Sequence, residues 1–141
     1  MKNLLSWLES VPLSINCLLC RWGIAATFWR SGQTKVHGFF EINPSTYDLF
    51  RDEYMVPLIP PEIAAVMATV SEHLFSALLV IGLASRLSAL ALFGMTMVIE
   101  IFVYPDSWPD HLLWSSALLL VLFQGPGKYS VDHLLRMRFL R

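Results

Sequence analysis

Long apolar runs separated by short polar segments dominate the chain. Four such runs lie at residues 13–31, 62–84, 87–104 and 110–125. A helix needs about 20 residues, within a range of about 17–25, to cross the hydrocarbon core of a bilayer. The first three runs reach that length; the fourth is short, so a re-entrant segment is its alternative. The pattern predicts an all-α integral membrane protein, a bundle of four spanning helices in a single domain over residues 1–141.

Two polar segments also have a pattern of their own. Residues 33–61, between the first two runs, form a long connection, and such loops usually carry function or some structure. Three aromatic residues recur there at helical spacing and predict a short amphipathic helix at the outer surface: Tyr47, Phe50 and Tyr54. The residues after Gly125 predict a short interfacial helix at the C-terminus. Ser130 would be its N-cap, and its arginines could hold anionic lipid headgroups.

Composition supports a membrane environment and argues against nucleic acid as a partner. Hydrophobic residues make up 55% of the chain and charged residues only 15%, against about 25% charged residues in soluble domains. The net charge of −1 offers no general attraction to nucleic acid. Arg21 interrupts the first apolar run and no small-residue cleavage site follows it. The first run is therefore interpreted as a retained helix rather than a signal peptide.

The distribution of loop cations predicts the orientation of the chain. One side carries six: Lys2, Arg86, Lys128, Arg136, Arg138 and Arg141. The other side carries three: Arg30, Lys35 and Arg51. We therefore expect both termini to be cytoplasmic. The 33–61 connection and the turn at residues 105–110 should face outward.

Two opposite charges lie inside the apolar runs, Arg21 in the first and Glu72 in the second. An unpaired charge at bilayer depth costs at least about 2.5–3.5 kcal/mol, so a partner is expected. Both residues fall at similar depth, which predicts an ion pair between neighbouring helices. Such a pair could be purely architectural, or it could also bind the polar headgroup of a ligand; the sequence favours neither.

Further polar residues lie in the apolar runs. Glu100 and His111 have similar depth and could be hydrogen-bonded; the alternative is that both reach the interface and meet water. His73 is interpreted as a satisfied interhelical histidine, and no metal site is predicted. Cys17 and Cys20 have the spacing of a redox pair. They lie in an apolar run, however, where cysteine is a common small filler.

Three segments, in this order, resemble a known family. The first reads Arg21-Trp22-Gly23 followed by Phe-Trp-Arg-Ser-Gly-Gln-Thr-Lys at 28–35. The second has Glu72 followed by Leu-Leu-Val-Ile-Gly-Leu-Ala-Ser-Arg at 78–86, and the third reads Gly-Pro-Gly-Lys-Tyr-Ser-Val-Asp at 125–132. Over nearly its whole length the chain resembles the DoxX family of small four-helix membrane proteins. The residues that match its polar positions are Arg21, Lys35, Glu72 and Arg86, whereas the two cysteines are not part of its pattern.

The resemblance implies a multi-pass protein of the bacterial inner (plasma) membrane. DoxX relatives include a subunit of a thiosulfate:quinone oxidoreductase, and others are linked to membrane redox or thiol stress. Some accompany systems that make modified metal-binding peptides. The sequence itself contains no motif that identifies a reaction.

Two hypotheses of different class follow. In the first, a redox-associated subunit or accessory protein binds a quinone-like or other small ligand between its helices. Its polar groups would come from Arg21, Glu72, Lys35, Glu100 and His111, and its ring-flanking groups from Trp22, Phe28 and Trp29. In the second, the protein is a non-catalytic membrane partner or scaffold for another protein or peptide system. A cavity of roughly 300–1,000 Å³ that reaches the charges would favour the first hypothesis. A small transporter is less favoured, because four spans without repeats leave little room for alternating access.

Overall fold

The computed structural model describes residues 2–38 and 41–139. Its described part contains seven α-helices: Lys2–Glu9 (α1), Leu13–Gln33 (α2), Pro44–Leu49 (α3), Pro61–Ile81 (α4), Ser85–Val98 (α5), Trp108–Gln124 (α6) and Val131–Phe139 (α7). The predicted all-α class is confirmed. One feature was not predicted, a ribbon in which the strands Val36–His37 (β1) and Glu41–Ile42 (β2) pair antiparallel. Arg141 and the Lys2 side chain, two of the cations behind the predicted orientation, lie outside what is described.

The ends of the long helices follow from proline and glycine. Pro12 precedes α2 and Pro61 opens α4, positions at which a missing backbone N–H costs nothing. Gly82 ends α4 with a φ of +73°, the left-handed conformation that glycine adopts without strain. The helix α5 continues as a π-helical turn over Ile99–Val103. Helices thus occupy each of the four apolar runs, with ends within one helical turn of the expected boundaries.

The four long helices pack side by side in a closed ring. α2 contacts α4 and α6, and α5 contacts the same two helices from the opposite side. Large buried side chains fill the centre of this ring: Phe28, Leu79, Leu92, Leu118 and Val121. Small residues let the helices approach closely. At Gly32 an added Cβ would lie 2.7 Å from the ring of His73 on α4, so α2 and α4 need glycine there.

The outside of the ring is strongly apolar. Within the described residues, two helical stretches are long and apolar enough to cross a membrane, Pro61–Ile81 and Ser85–Val103. Only 39% and 22% of their most apolar windows are buried, whereas the core helix of a soluble protein is mostly buried. Their unburied apolar side chains need an apolar environment, which a bilayer supplies.

One side of the connection between α2 and α4 packs against the helices, and its charged side is exposed. α3 runs into a π-helical turn over Phe50–Tyr54. Phe50 is buried and forms a small core with Ala64 and Ala65 near the start of α4. The aromatic spacing that predicted a surface helix therefore marks a helical segment whose apolar side is covered by α4.

The two terminal helices differ in how well the sequence predicted them. At the start of α7 the backbone N–H of His133 donates to Oγ of Ser130 over 3.2 Å, the N-cap expected there. The helix α1 was not predicted, because it is only eight residues long. Its described apolar side chains are exposed: Leu4, Leu5, Trp7 and Leu8.

Candidate functional site

A buried ion pair between Lys35 and Glu72 is the centre of the polar interior. Nζ of Lys35 lies 2.9 Å from Oε2 and 3.0 Å from Oε1 of Glu72. Ser31 bridges the pair, since its Oγ accepts from Lys35 over 3.0 Å and donates to Glu72 over 3.1 Å. Both charged side chains are buried. Each charge is therefore neutralised by its partner rather than by water.

The ribbon after α2 holds Lys35 in this position. The carbonyl oxygen of Lys35 accepts from the backbone N–H of Asn43 over 2.9 Å and from the Thr46 hydroxyl over 3.0 Å. Lys35 lies just past the end of α2, and its ammonium turns back onto the carbonyl of Ser31, 3.3 Å away. Lys35, expected from the sequence both as an outward loop cation and as a candidate site residue, is thus part of the interior.

The predicted pair between Arg21 and Glu72 is wrong. Nη2 of Arg21 donates to the carbonyl of Tyr129 over 2.6 Å, and a Cβ at Gly82 would lie only 1.8 Å from its Nη1. Gly82 is ten residues beyond Glu72, about 15 Å along a helix. Helical side chains lean toward the N-terminus of their own helix, so the long Arg21 side chain reaches the end of the ring rather than its middle.

Around Arg21 the structure is a docking site for the C-terminal segment. Both carboxylate oxygens of Asp132 accept from the backbone N–H groups of Ala84 and Ser85 over 2.8 Å and so cap the start of α5. The N–H of Asp132 donates to the carbonyl of Gly82 over 2.9 Å. Arg21 is fully buried beside these contacts. Through its hydrogen bond to Tyr129, Arg21 helps to hold the segment after α6 against the α4–α5 turn.

A cavity of about 360 Å³ opens next to Lys35 and Glu72. It lies between α2, α4, α5 and α6, with residues of the 50–59 segment on one side. Most of its wall is apolar, including Phe28, Phe50, Met67, Met95, Val98 and Trp114. Ser31, Lys35 and Glu72 contribute a polar patch, and His111 contributes another polar group. This is an apolar pocket with a few convergent polar groups, the usual character of a small-molecule site.

His111 forms the second polar group of the cavity wall. Its Nδ1 lies 2.5 Å from Oε2 of Glu100, so the expected hydrogen bond is present. Glu100 belongs to the π-helical turn that ends α5. The His111 ring is buried and meets the Trp114 ring edge-on at 5.0 Å, and Trp114 meets Phe28 at 5.6 Å. An aromatic wall thus joins the histidine to α2.

Two tyrosines line the cavity near the π-helical turns. The rings of Tyr54 and Tyr104 meet edge-on at 5.6 Å, and the Tyr104 hydroxyl donates to Glu53. Burial raises the pKa of Tyr54 above its ordinary value, and the charges of Glu53 and Glu72 act in the same direction. Tyr54 therefore remains a neutral hydroxyl at physiological pH.

Two predicted ring-flanking residues are not at the cavity. Trp22 is exposed and its Nε1 donates to the carbonyl of Val80 over 3.2 Å. Trp29 is also exposed and meets the ring of His73 at 5.0 Å. Both point away from the centre of the ring, because their positions on α2 lie on its outer side. His73 hydrogen-bonds to Gln33 over 2.9 Å, which fits the interhelical role expected for it.

The sequence interpretation also missed residues that line the cavity. Ser31 precedes Lys35 by four residues and Trp114 follows His111 by three, so both are one helical turn from a predicted site residue. That spacing was an available signal. Cys17 and Cys20 carry free thiols. Among the described residues, no three His, Cys, Asp or Glu side chains are grouped so that they could hold a metal ion.

Comparison with known proteins gives the family. The model of the DoxX family matches residues 16–105, which is more than half of the chain. The chain belongs to the DoxX family. A Haemophilus influenzae protein described as uncharacterized is 30% identical over 142 aligned positions, covering 92% of this chain and 89% of the relative. No solved structure matches the chain.

Family membership identifies this chain as a membrane protein of the DoxX type. The matched region contains Arg21, Lys35, Glu72 and Glu100. His111 lies beyond it, on α6.

Proposed function

We propose that this DoxX protein binds a small ligand with an apolar body and a polar head, such as a quinone, in the cavity between its four long helices. It would do so as an accessory protein or subunit of a membrane redox system. The observation that carries the proposal is the cavity of about 360 Å³ that opens onto both Glu72 and His111. Its size lies within the range of about 300–1,000 Å³ typical of ligand pockets.

The polar groups of the cavity suit a head that both accepts and donates hydrogen bonds. The ammonium of Lys35 is already engaged by Glu72 and Ser31, and the Ser31 hydroxyl donates to Glu72. On that wall Glu72 and Ser31 can therefore only accept a hydrogen bond, from a ligand hydroxyl. On His111, Nδ1 is taken by Glu100, which leaves Nε2. An imidazole nitrogen accepts from a hydroxyl when neutral and donates to a carbonyl when charged. Such a site can hold a quinone or the corresponding quinol.

The aromatic lining suits the flat body of such a ligand. Phe28 and Trp114 stand edge-on to one another, and Phe50 and Tyr54 do so on another side at 4.9 Å. All four line the cavity. Aromatic faces and edges pack favourably against a flat conjugated ring.

We further propose that all four long helices cross a bacterial plasma membrane with both termini cytoplasmic. The cavity end of the ring would then face outward. The exposed apolar residues of α2 and α6 support spans there as well, among them Leu19 and Leu113. Reporter fusions after residue 139 and within residues 43–48 should report opposite sides. A C-terminus outside the cytoplasm would contradict this topology.

The ligand proposal is tested by thermal unfolding of the detergent-purified protein with and without a short-chain quinone. A ligand at about 100 times its dissociation constant should add about 2.7 kcal/mol of stability. Ala68→Leu extends a side chain into the cavity wall and should abolish this gain. Ala77→Leu, on the exposed side of the same helix, is the matched control and should retain it.

Two results would overturn the quinone proposal. The first is an absence of quinone-dependent stabilisation of the wild type well above micromolar concentration. The second is equal stabilisation of the Ala68→Leu and Ala77→Leu variants, which would place binding elsewhere. Native mass spectrometry with lipids and quinones retained then decides the alternative. A protein or peptide partner found there would favour the scaffold function.

A further inference from the structure

A second cavity lies at the other end of the ring. It has a volume of about 400 Å³ and lies between the start of α5, the end of α6 and the start of α7. The Gly-Pro-Gly segment at residues 125–127 forms one of its walls. It shares no lining residue with the cavity beside Glu72. Its occupant is therefore independent of the proposed quinone site.

Three cationic side chains line this second cavity: Arg86, Lys128 and Arg136. All three are exposed, and none makes an ion pair or a side-chain hydrogen bond with any other part of the described chain. One carboxylate also lines the cavity, that of Asp132, but both of its oxygens are engaged by the amides that open α5. The arginine and lysine side chains therefore give the cavity wall an excess of positive charge.

A buried hydroxyl in the wall lacks a hydrogen-bond partner. Ser85 is fully buried, lines the cavity, and its Oγ has no partner within the described structure. A buried polar group without a partner is costly. Among the described buried polar atoms that lack a partner, this hydroxyl is the one that belongs to the wall of this cavity. Ser85 also lies in the first turn of α5. The following amides, of Arg86 and Leu87, lie where backbone N–H groups have no partner within a helix.

The glycines of the wall make room for the cations. Gly125 has a φ of +86°, and a Cβ there would lie 3.3 Å from Nη2 of Arg86. Gly127 has a φ of +80°, and a Cβ there would lie 3.0 Å from the backbone of Ser14 at the start of α2. The segment can therefore pass close to both Arg86 and α2 only because these two positions have no side chain.

We propose that this cavity binds a phosphate group. Arginine, lysine, a serine hydroxyl and the N-terminus of a helix are the groups that proteins use together for phosphate. The volume exceeds that of a phosphate ion alone and leaves room for an attached alcohol. The phosphate can come from an anionic lipid headgroup or from a soluble phosphate or phosphate ester. The site is the same in both cases.

The test compares the two sources on the full-length protein in neutral detergent. Inorganic phosphate and glycerol 3-phosphate are titrated by calorimetry against sodium chloride of equal ionic strength. In parallel, native mass spectrometry counts retained phosphatidylglycerol against phosphatidylcholine, whose phosphate is neutralised by its own choline. Binding in the first arm identifies a soluble ligand and selective retention in the second identifies a lipid. Either result supports the proposal.

Variants decide whether the cavity is the site. We expect Arg136→Gln to weaken binding about tenfold or more, because a charge-assisted contact to phosphate is lost. Arg138→Gln is the matched control, since Arg138 lies on the same helix but does not line the cavity, and we expect binding within about twofold of wild type. Ser85→Ala removes a donor without changing charge and should weaken binding about threefold or more.

The thermal unfolding midpoint without ligand should be nearly unchanged in the two arginine variants, because both side chains are exposed. Absence of binding in both arms would overturn the proposal. So would equal losses in Arg136→Gln and Arg138→Gln, which would indicate attraction to a basic surface rather than a built site.

Discussion

Among the described residues, the two buried Lys and Arg side chains behave differently. Lys35 ends on a carboxylate beside a cavity, whereas Arg21 ends on a backbone carbonyl and does not line that cavity. Both belong to the region that matches the DoxX family. A buried charge in an apolar helix therefore does not by itself mark a ligand site. Whether such a charge can serve ligand binding depends on the group it contacts and on whether a cavity lies beside that group.

The chemistry of the two side chains explains the difference. Arginine presents five N–H donors on a planar fork, which suits carbonyl oxygens in several directions. Arg21 also meets the C-terminal end of α4, where the helix dipole places partial negative charge. Lysine is a compact point charge that is best neutralised by one anion, and Glu72 supplies it. Lys35 is therefore matched to an anion, whereas Arg21 meets one carbonyl and keeps its Nε and Nη1 buried without a hydrogen-bond partner in the described structure.

Breaking the Lys35–Glu72 pair should have the largest effect. Glu72→Leu or Lys35→Met alone leaves one buried charge without its partner and should lower the free energy of unfolding by about 3–5 kcal/mol. The double variant should recover most of this loss while quinone binding stays abolished. Equilibrium unfolding in detergent measures the stability. A double variant as unstable as the single ones would mean that the pair does not act as a unit.

Crowding Arg21 should have the next largest effect. Gly82→Ala places a Cβ 1.8 Å from the Arg21 guanidinium and 2.9 Å from the backbone of Ser130, and forces alanine to a φ of +73°. We expect a loss of about 2–4 kcal/mol, from overpacking of about 1–3 kcal/mol together with left-handed strain of about 1–2 kcal/mol. Gly94→Ala is the control, because no heavy atom lies within 4 Å of its added Cβ. It should be neutral or slightly stabilising, and equal losses at both positions would remove the assigned role of Arg21.

Replacing Arg21 itself should affect stability but not ligand binding. Arg21→Lys keeps the charge but loses the planar fork, and should cost about 1–3 kcal/mol through the lost contact to the Tyr129 carbonyl. Quinone-dependent stabilisation should be unchanged, because Arg21 does not line that cavity. Thermal unfolding with and without quinone measures both quantities. A variant of normal stability that has lost quinone binding would reverse the assignment of the two cations.

The smallest expected effect is a change of stability with pH that comes from Tyr54, which lines the cavity beside Glu72. Burial raises its pKa, so the folded state favours the neutral phenol. The resulting stability is present below the ordinary tyrosine pKa of about 10 and is lost as pH rises through the higher folded value. Subtracting the ultraviolet titration of Tyr54→Phe from that of wild type isolates this group. A transition at or below the ordinary pKa would contradict the buried position.

The four long helices and their apolar character follow from the sequence alone. A long apolar run forms a helix whatever it packs against, because the backbone hydrogen bonds lie within the run. The end signals at Pro61, Gly82 and Ser130 also act on the adjacent residues alone. Membership of the DoxX family was also predicted from three short segments of sequence. The hydrogen bond between Glu100 and His111 could also be anticipated, because only a short turn separates them.

The pairing of the buried charges, in contrast, depends on the packing of the helices. Depth along a helix can be counted from sequence, but which neighbouring helix or loop a side chain meets depends on how the helices pack. Arg21 therefore was paired with the wrong residue. Lys35 was expected both as an outward loop cation and as a candidate site residue, but its pairing with Glu72 was not expected. The cavity was equally hidden, because it forms where the 50–59 segment meets four helices that are distant in sequence.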